Sequence, residues 1–147
     1  MKSRPRSRFA SAEGGATALE FALLVGPLLL VVLGTMEFGR FLWTTNALQQ
    51  VAIRTARCMG VLLAGCATGN VYSSSSSLSY AQSLATSYGI TLPAPSITLS
   101  DPTSCAGAPG FAVVTISYTF TSVVPTLLPS LSSAAPVTAT ACFANQS

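Results

Sequence analysis

Residues 16–36 read ATALEFALLVGPLLLVVLGTM, and Glu20 is the one charged side chain among them. As a helix rising about 1.5 Å per residue, this stretch spans about 31 Å, close to the hydrocarbon thickness of a bilayer. The wholly uncharged run from Phe21 to Met36 is only 16 residues long. A membrane span therefore includes Glu20 near one end, or lets its carboxylate snorkel to the surface. The opening half is apolar all round, which suits lipid better than the one-sided face of a globular core helix. Pro27 costs about 3 kcal/mol inside a soluble helix. Membrane helices tolerate such a proline, often as a kink.

The flanks orient the span. Lys2, Arg4, Arg6 and Arg8 precede it, and Arg40 is the one cation close behind it. The positive-inside rule then places the N-terminus in the cytoplasm and the chain beyond about residue 40 outside. A secretory signal peptide removed whole needs a small-x-small cleavage site after its apolar run. The sequence there is GTMEFGRFLW, which is bulky, so the helix is expected to be retained.

Composition narrows the function. The chain has 147 residues, 50% of them hydrophobic and 7% charged, with a mean hydropathy of +0.57. A soluble domain carries about 25% charged residues. The absence of histidine removes Ser–His and Cys–His nucleophiles and most catalytic zinc sites. The net charge of +3 belongs to residues 1–15, and the remainder is neutral. A nucleic-acid partner needs a basic stripe on the folded part, so none is expected. Asp101 is the one carboxylate away from the helix and its edge, and no G-x-x-x-x-G-K-[ST] loop occurs. The reading is of a non-enzyme that takes no cofactor and no metal.

Just ahead of the apolar run stands Glu13-Gly14-Gly15. A cut after Gly15 would make Ala16 the first residue and Glu20 the fifth. A new α-amine and a carboxylate four residues on share a helix face. In a packed bundle, Glu20 of one subunit could also meet the Ala16 amine of its neighbour. That pairing would fix axial register, because an unpaired charge among apolar helices is costly.

Beyond Arg40 the helical pattern continues to about Leu63. Asn46, Gln49, Gln50, Arg54 and Arg57 form a polar stripe, and Trp43, Ala47, Val51, Cys58 and Leu62 form an apolar face widened by Leu48, Ala52 and Met59. Trp43 reads equally as an interfacial anchor and as core. Ser73–Ser77 reads as a flexible loop. Leu78–Tyr88 suits a short helix ending at Gly89, and Ile97–Leu99 a short strand. Asp101–Gly110 reads as a loop. In Phe111–Thr121, Val114, Ile116, Tyr118 and Phe120 alternate with Thr and Ser, giving the clearest strand. Val123–Pro136 is a proline-broken connection, and Val137–Phe143 a last strand.

These elements predict an α+β fold. A long helix runs through the membrane to its outer side and carries a small antiparallel sheet head. The expected divisions are 1–15 (a basic leader), 16–39 (the span), 40–65 (the continuing helix) and 66–147 (the head).

Such a small sheet needs reinforcement. Cys58, Cys66, Cys105 and Cys142 all lie beyond the span, in an oxidising compartment. Cys105–Cys142 would tie the loop before one strand to the last strand, leaving Cys58–Cys66. The latter demands a chain reversal, since residues eight apart on a straight helix are about 12 Å apart, beyond disulfide reach. Loop entropy assigns about 4 kcal/mol to the longer link and about 2.6 kcal/mol to the shorter. The crossed pairing, 58–142 with 66–105, is the next arrangement. Neither C-x-x-C nor histidine is present to favour zinc or redox chemistry.

The pattern Gly15, four residues, Glu20, Phe21 at the head of an apolar helix resembles a type IV pilin-type (class III) signal. From Gly15 to Cys58 the sequence resembles the TadE-like segment of Tad-pilus pseudopilins. The resemblance is carried by G-A-T-A-L-E-F, by Pro27 with the leucines after it, by G-x-x-E-F-G-R at Gly34–Arg40, and by A-L-Q-Q at Ala47–Gln50. It departs at Phe21, where that subfamily often has tyrosine. The resemblance implies a pilin-like protein cut by a prepilin peptidase between Gly15 and Ala16, with Glu20 setting subunit register. The implied partners are that peptidase, other pseudopilins, the pilus assembly platform and the inner membrane. Its implied place is the inner membrane, N-terminus in the cytoplasm and head in the periplasm, with a role in surface attachment and biofilm formation. An uncleaved, signal-anchored periplasmic scaffold or binding protein is the alternative, separated from the pilin reading by N-terminal processing alone.

Overall fold

A computed structural model of the chain describes residues 13–122 and 135–146. The leader up to residue 12 and most of the Val123–Pro136 connection lie outside the described residues. The order is helix α1 (Glu13–Gly60), strands β1 (Ala67–Thr68) and β2 (Val71–Tyr72), helix α2 (Ser74–Ser87), a 3-10 turn at Ala94–Ser96, and strands β3 (Ile97–Cys105), β4 (Ala108–Phe120) and β5 (Ala135–Ala144). The fold is α+β.

The chain divides into two compact units, Met1–Met36 and Glu37–Ser147. In the first, α1 continues through Pro27, and leucines 19, 23, 24, 28, 29 and 30 are all exposed. Helix α1 holds a stretch long and apolar enough to cross a membrane, and none of that stretch is buried.

The second unit is the head. Its segment of α1 buries Ala47, Leu48, Val51, Ala52, Thr55, Ala56, Cys58 and Met59, a stripe at spacings of three and four that gives one apolar face. That face joins a single core with Ala112, Val114 and Ile116 of β4 and Val137, Ala139 and Ala141 of β5. Alternation holds along both strands: Thr138 and Thr140 are exposed between buried neighbours. The three-stranded sheet is antiparallel in the order β3-β4-β5. The β4–β5 ladder runs without a shift from Phe111↔Ala144 to Phe120↔Ala135. In the β3–β4 ladder the register shifts between Ser100 and Ser104.

Three local expectations are corrected. The Ser73–Ser77 run is not a loop: α2 begins at Ser74, and Ser73 is its N-cap, accepting at Oγ from the Ser76 N–H. Serine is a poor interior helix former but a strong cap, and the cap starts the helix four residues early. Its far end closes as expected at Gly89, with the Gly89 N–H donating to Thr86 and the Ile90 N–H to Ala85. Asp101–Gly110 is not a loop either. Strands β3 and β4 continue through it and join by a two-residue turn, Ala106–Gly107, both at positive φ, the tight hairpin geometry that matches strand twist. A second hairpin, β1–β2, turns through Gly69–Asn70, where no strand was expected.

Two disulfides staple the head. Cys58 and Cys66 are joined with their Cα atoms 5.8 Å apart. The required reversal follows the end of α1, where Leu62 adopts φ 54° and the Leu63 N–H donates to the Cys58 carbonyl. Cys105 and Cys142 are joined with Cα atoms 6.4 Å apart, linking β3 to β5 across β4.

Candidate functional site at the start of the long helix

Gly15, Ala16, Glu20 and Phe21 fall within the first nine residues of α1. Helical periodicity places Ala16 and Glu20 on one face. Glu20 is exposed, and Phe21 is 69% exposed. Among the described residues no ion-pair partner faces Glu20. The exposed carboxylate is thus surrounded along the helix by exposed leucines, the setting in which a charge from another chain or from a new N-terminus would matter most.

A second cluster lies where the head begins, on the G-x-x-E-F-G-R motif. Glu37 is a carboxylate only 3% exposed. The Arg40 Nη1 donates to Glu37 Oε2 at 2.9 Å, so helical i,i+3 spacing brings acid and base together. The Arg40 guanidinium carbon stands 5.5 Å from the centre of the Phe120 ring on β4, within cation–π range. Phe41 meets the same ring edge-on at 5.4 Å. One turn of α1 is thereby fastened to the end of the longest strand by two ring contacts, and the half-exposed Arg40 is held in place by its pair with the buried Glu37. In the sequence Glu37 enters only as a letter of a motif and Arg40 as that and as a flanking charge; the E-x-x-R spacing was the sign of their pairing.

Beside Arg40 opens a groove of about 440 Å³, bordered by Trp43 and Thr44 of α1, the Tyr88–Ile90 turn after α2, and Tyr118 of β4. Trp43, left between anchor and core by the sequence, is 63% exposed. Elsewhere, Asp101 accepts a hydrogen bond from Asn145 Nδ2. Among the described residues no three His, Cys, Asp or Glu side chains gather in a way that could hold a metal ion.

A family model described as TadE-like protein matches residues 15–57. This segment is TadE-like. The match begins at Gly15, contains Glu20 and the Glu37–Arg40 pair, and ends one residue before the first disulfide cysteine. The TadE-like segment thus covers most of α1, and the remainder of the head lies outside it. No curated protein and no solved structure matches the chain.

Proposed function

We propose that this chain is a pseudopilin or minor pilin acting in Tad-type pilus assembly, a structural and non-enzymatic role. The observation that carries the reading is a coincidence on one helix: the TadE-like match begins at Gly15, and Glu20 stands exposed at the head of the apolar stretch. A prepilin peptidase cuts after Gly15 on the cytoplasmic side. The helix then waits in the inner membrane with the head in the periplasm. It enters or primes a helical filament through helix–helix packing with other pseudopilins on the assembly platform. Glu20 pairs with an Ala16 amine and sets register, since an apolar bundle penalises any slip that strands the charge.

The test is the mature N-terminus and intact mass of the protein taken from its native membrane. A chain starting at Ala16 is expected. A chain starting at Met1, in cells with an active prepilin peptidase, would point to the uncleaved anchor instead. For Glu20 the expected result is that Glu20→Ala impairs pilus assembly. Unchanged processing together with unchanged assembly would end the register idea.

A further inference from the structure

Arg40 and Trp43 of α1, Tyr88 at the end of α2 and Tyr118 of β4 close on one groove. Three sequence-distant segments thus bring two phenols beside an exposed indole. Trp43 and Tyr88 also wall a second, smaller cavity of about 120 Å³. Among the described residues, neither the indole N–H nor either phenol hydroxyl has a hydrogen-bond partner. Grouped rings with unbonded polar tips fit a medium that is apolar on one side and wet on the other.

The position along α1 names that medium. Trp43 follows Met36, the last residue of the uncharged run, by seven positions, about 10 Å of helix. Helical side chains lean back toward the N-terminus, which brings the ring nearer the span. The headgroup layer on each face of a bilayer is about 5–8 Å deep, so the backward lean brings the indole to the outer edge of that layer. Arg40 is already paired with Glu37, so the groove offers little free charge to attract anionic lipid.

We propose that this groove is a lipid seat, in which Trp43, Tyr88 and Tyr118 hold the head against the headgroup layer of the bilayer that α1 crosses. The proposal rests on the membrane reading of α1. Docking depends on burying aromatic surface, and anionic lipid content and salt have little influence on it.

Trp43 is the chain's single tryptophan, so its fluorescence reports the seat directly. The full chain is placed in vesicles of phosphatidylethanolamine and phosphatidylglycerol. The expected result is emission shifted to the blue, quenching by lipids brominated near the headgroup in preference to those brominated at the chain ends, and protection from aqueous iodide. Raising the phosphatidylglycerol share leaves these unchanged. The double variant Tyr88→Ser, Tyr118→Ser, with both disulfides verified by mass, loses the iodide protection. If Trp43 is open to iodide and untouched by brominated lipid while the protein resists alkaline extraction, the seat is refuted and the span stands. If alkali extracts the protein, the span fails and the seat with it. Shielding from iodide without lipid quenching would place another protein surface on the groove and refute the seat.

Discussion

Gln49 Nε2 donates to the Thr140 carbonyl at 3.1 Å, joining α1 to β5 across 91 positions of sequence. The Asn145 N–H donates to Gly110 on β4, so β5 residues of odd number turn their backbone groups inward and Thr140 turns its own outward. Gln49 therefore satisfies a carbonyl on an outer strand, where unpaired backbone groups invite unwanted pairing. Gln49→Ala is expected to destabilise the head by about 1 kcal/mol. Near-UV circular dichroism melts of the full chain in detergent check this; a melting temperature equal to the parent's would show that water replaces the amide without loss.

The end of α1 allows no side chain. A Cβ built on Gly60 would stand 2.6 Å from Phe143 Cδ1 and 3.1 Å from the Ala144 carbonyl oxygen. The ring can turn aside, but the backbone oxygen of β5 cannot easily move. Gly60→Ala is expected to cost about 1–3 kcal/mol, as overpacked cores do. The same melts read it, and Gly39→Ala, with nothing within 4 Å of its added carbon, serves as the control.

The two disulfides differ in access. Cys58 and Cys66 are buried, whereas Cys142 is exposed and Cys105 half-buried. A reductant acting on the folded protein is expected to open Cys105–Cys142 first, because attack requires approach to a sulfur. Alkylation followed by peptide mass mapping gives the order. Labelling of Cys58 and Cys66 first would contradict it.

Alkaline pH should weaken the head through Tyr72. Burial, reinforced by the negative charge of Asp101, raises the Tyr72 phenol above its ordinary value of 10.0, while a hydrogen bond with Ser77 acts the other way. Above that ordinary value the unfolded chain has released a proton that the folded chain still holds, so stability falls as pH rises. Below it the contribution is fully present. Denaturant melts across the alkaline range should show this slope, and Tyr72→Phe should flatten it. A variant with the parent's slope would assign the loss to other groups.

The long helix was legible because its cause is composition: an apolar run of bilayer length, followed by a stripe at spacings of three and four. The β4 strand was legible because its alternation from Val114 to Phe120 is regular. What escaped was set by single residues acting on the backbone. Ser73 starts α2 within a run whose composition reads as linker. Ala106–Gly107 turns a hairpin without the Asn-Gly or Asp-Gly pair that usually marks one. At the helix head, Gly15, Ala16 and Glu20 were singled out by their place before the apolar run and by the resemblance to a pilin-type signal. The aromatic groove was not legible, since Trp43, Tyr88 and Tyr118 share no local pattern and meet only once the core has formed.

The Cys105–Cys142 link has a mechanical consequence. It spans 37 positions and encloses β4 and all of β5 up to Cys142. A fully drawn chain lengthens by about 3.3–3.6 Å per residue, so the bond withholds about 125 Å of slack from any pull along the polypeptide. Under tension the head yields as a short-tethered knot of sheet, able to loosen its edges without paying out the strands at its centre.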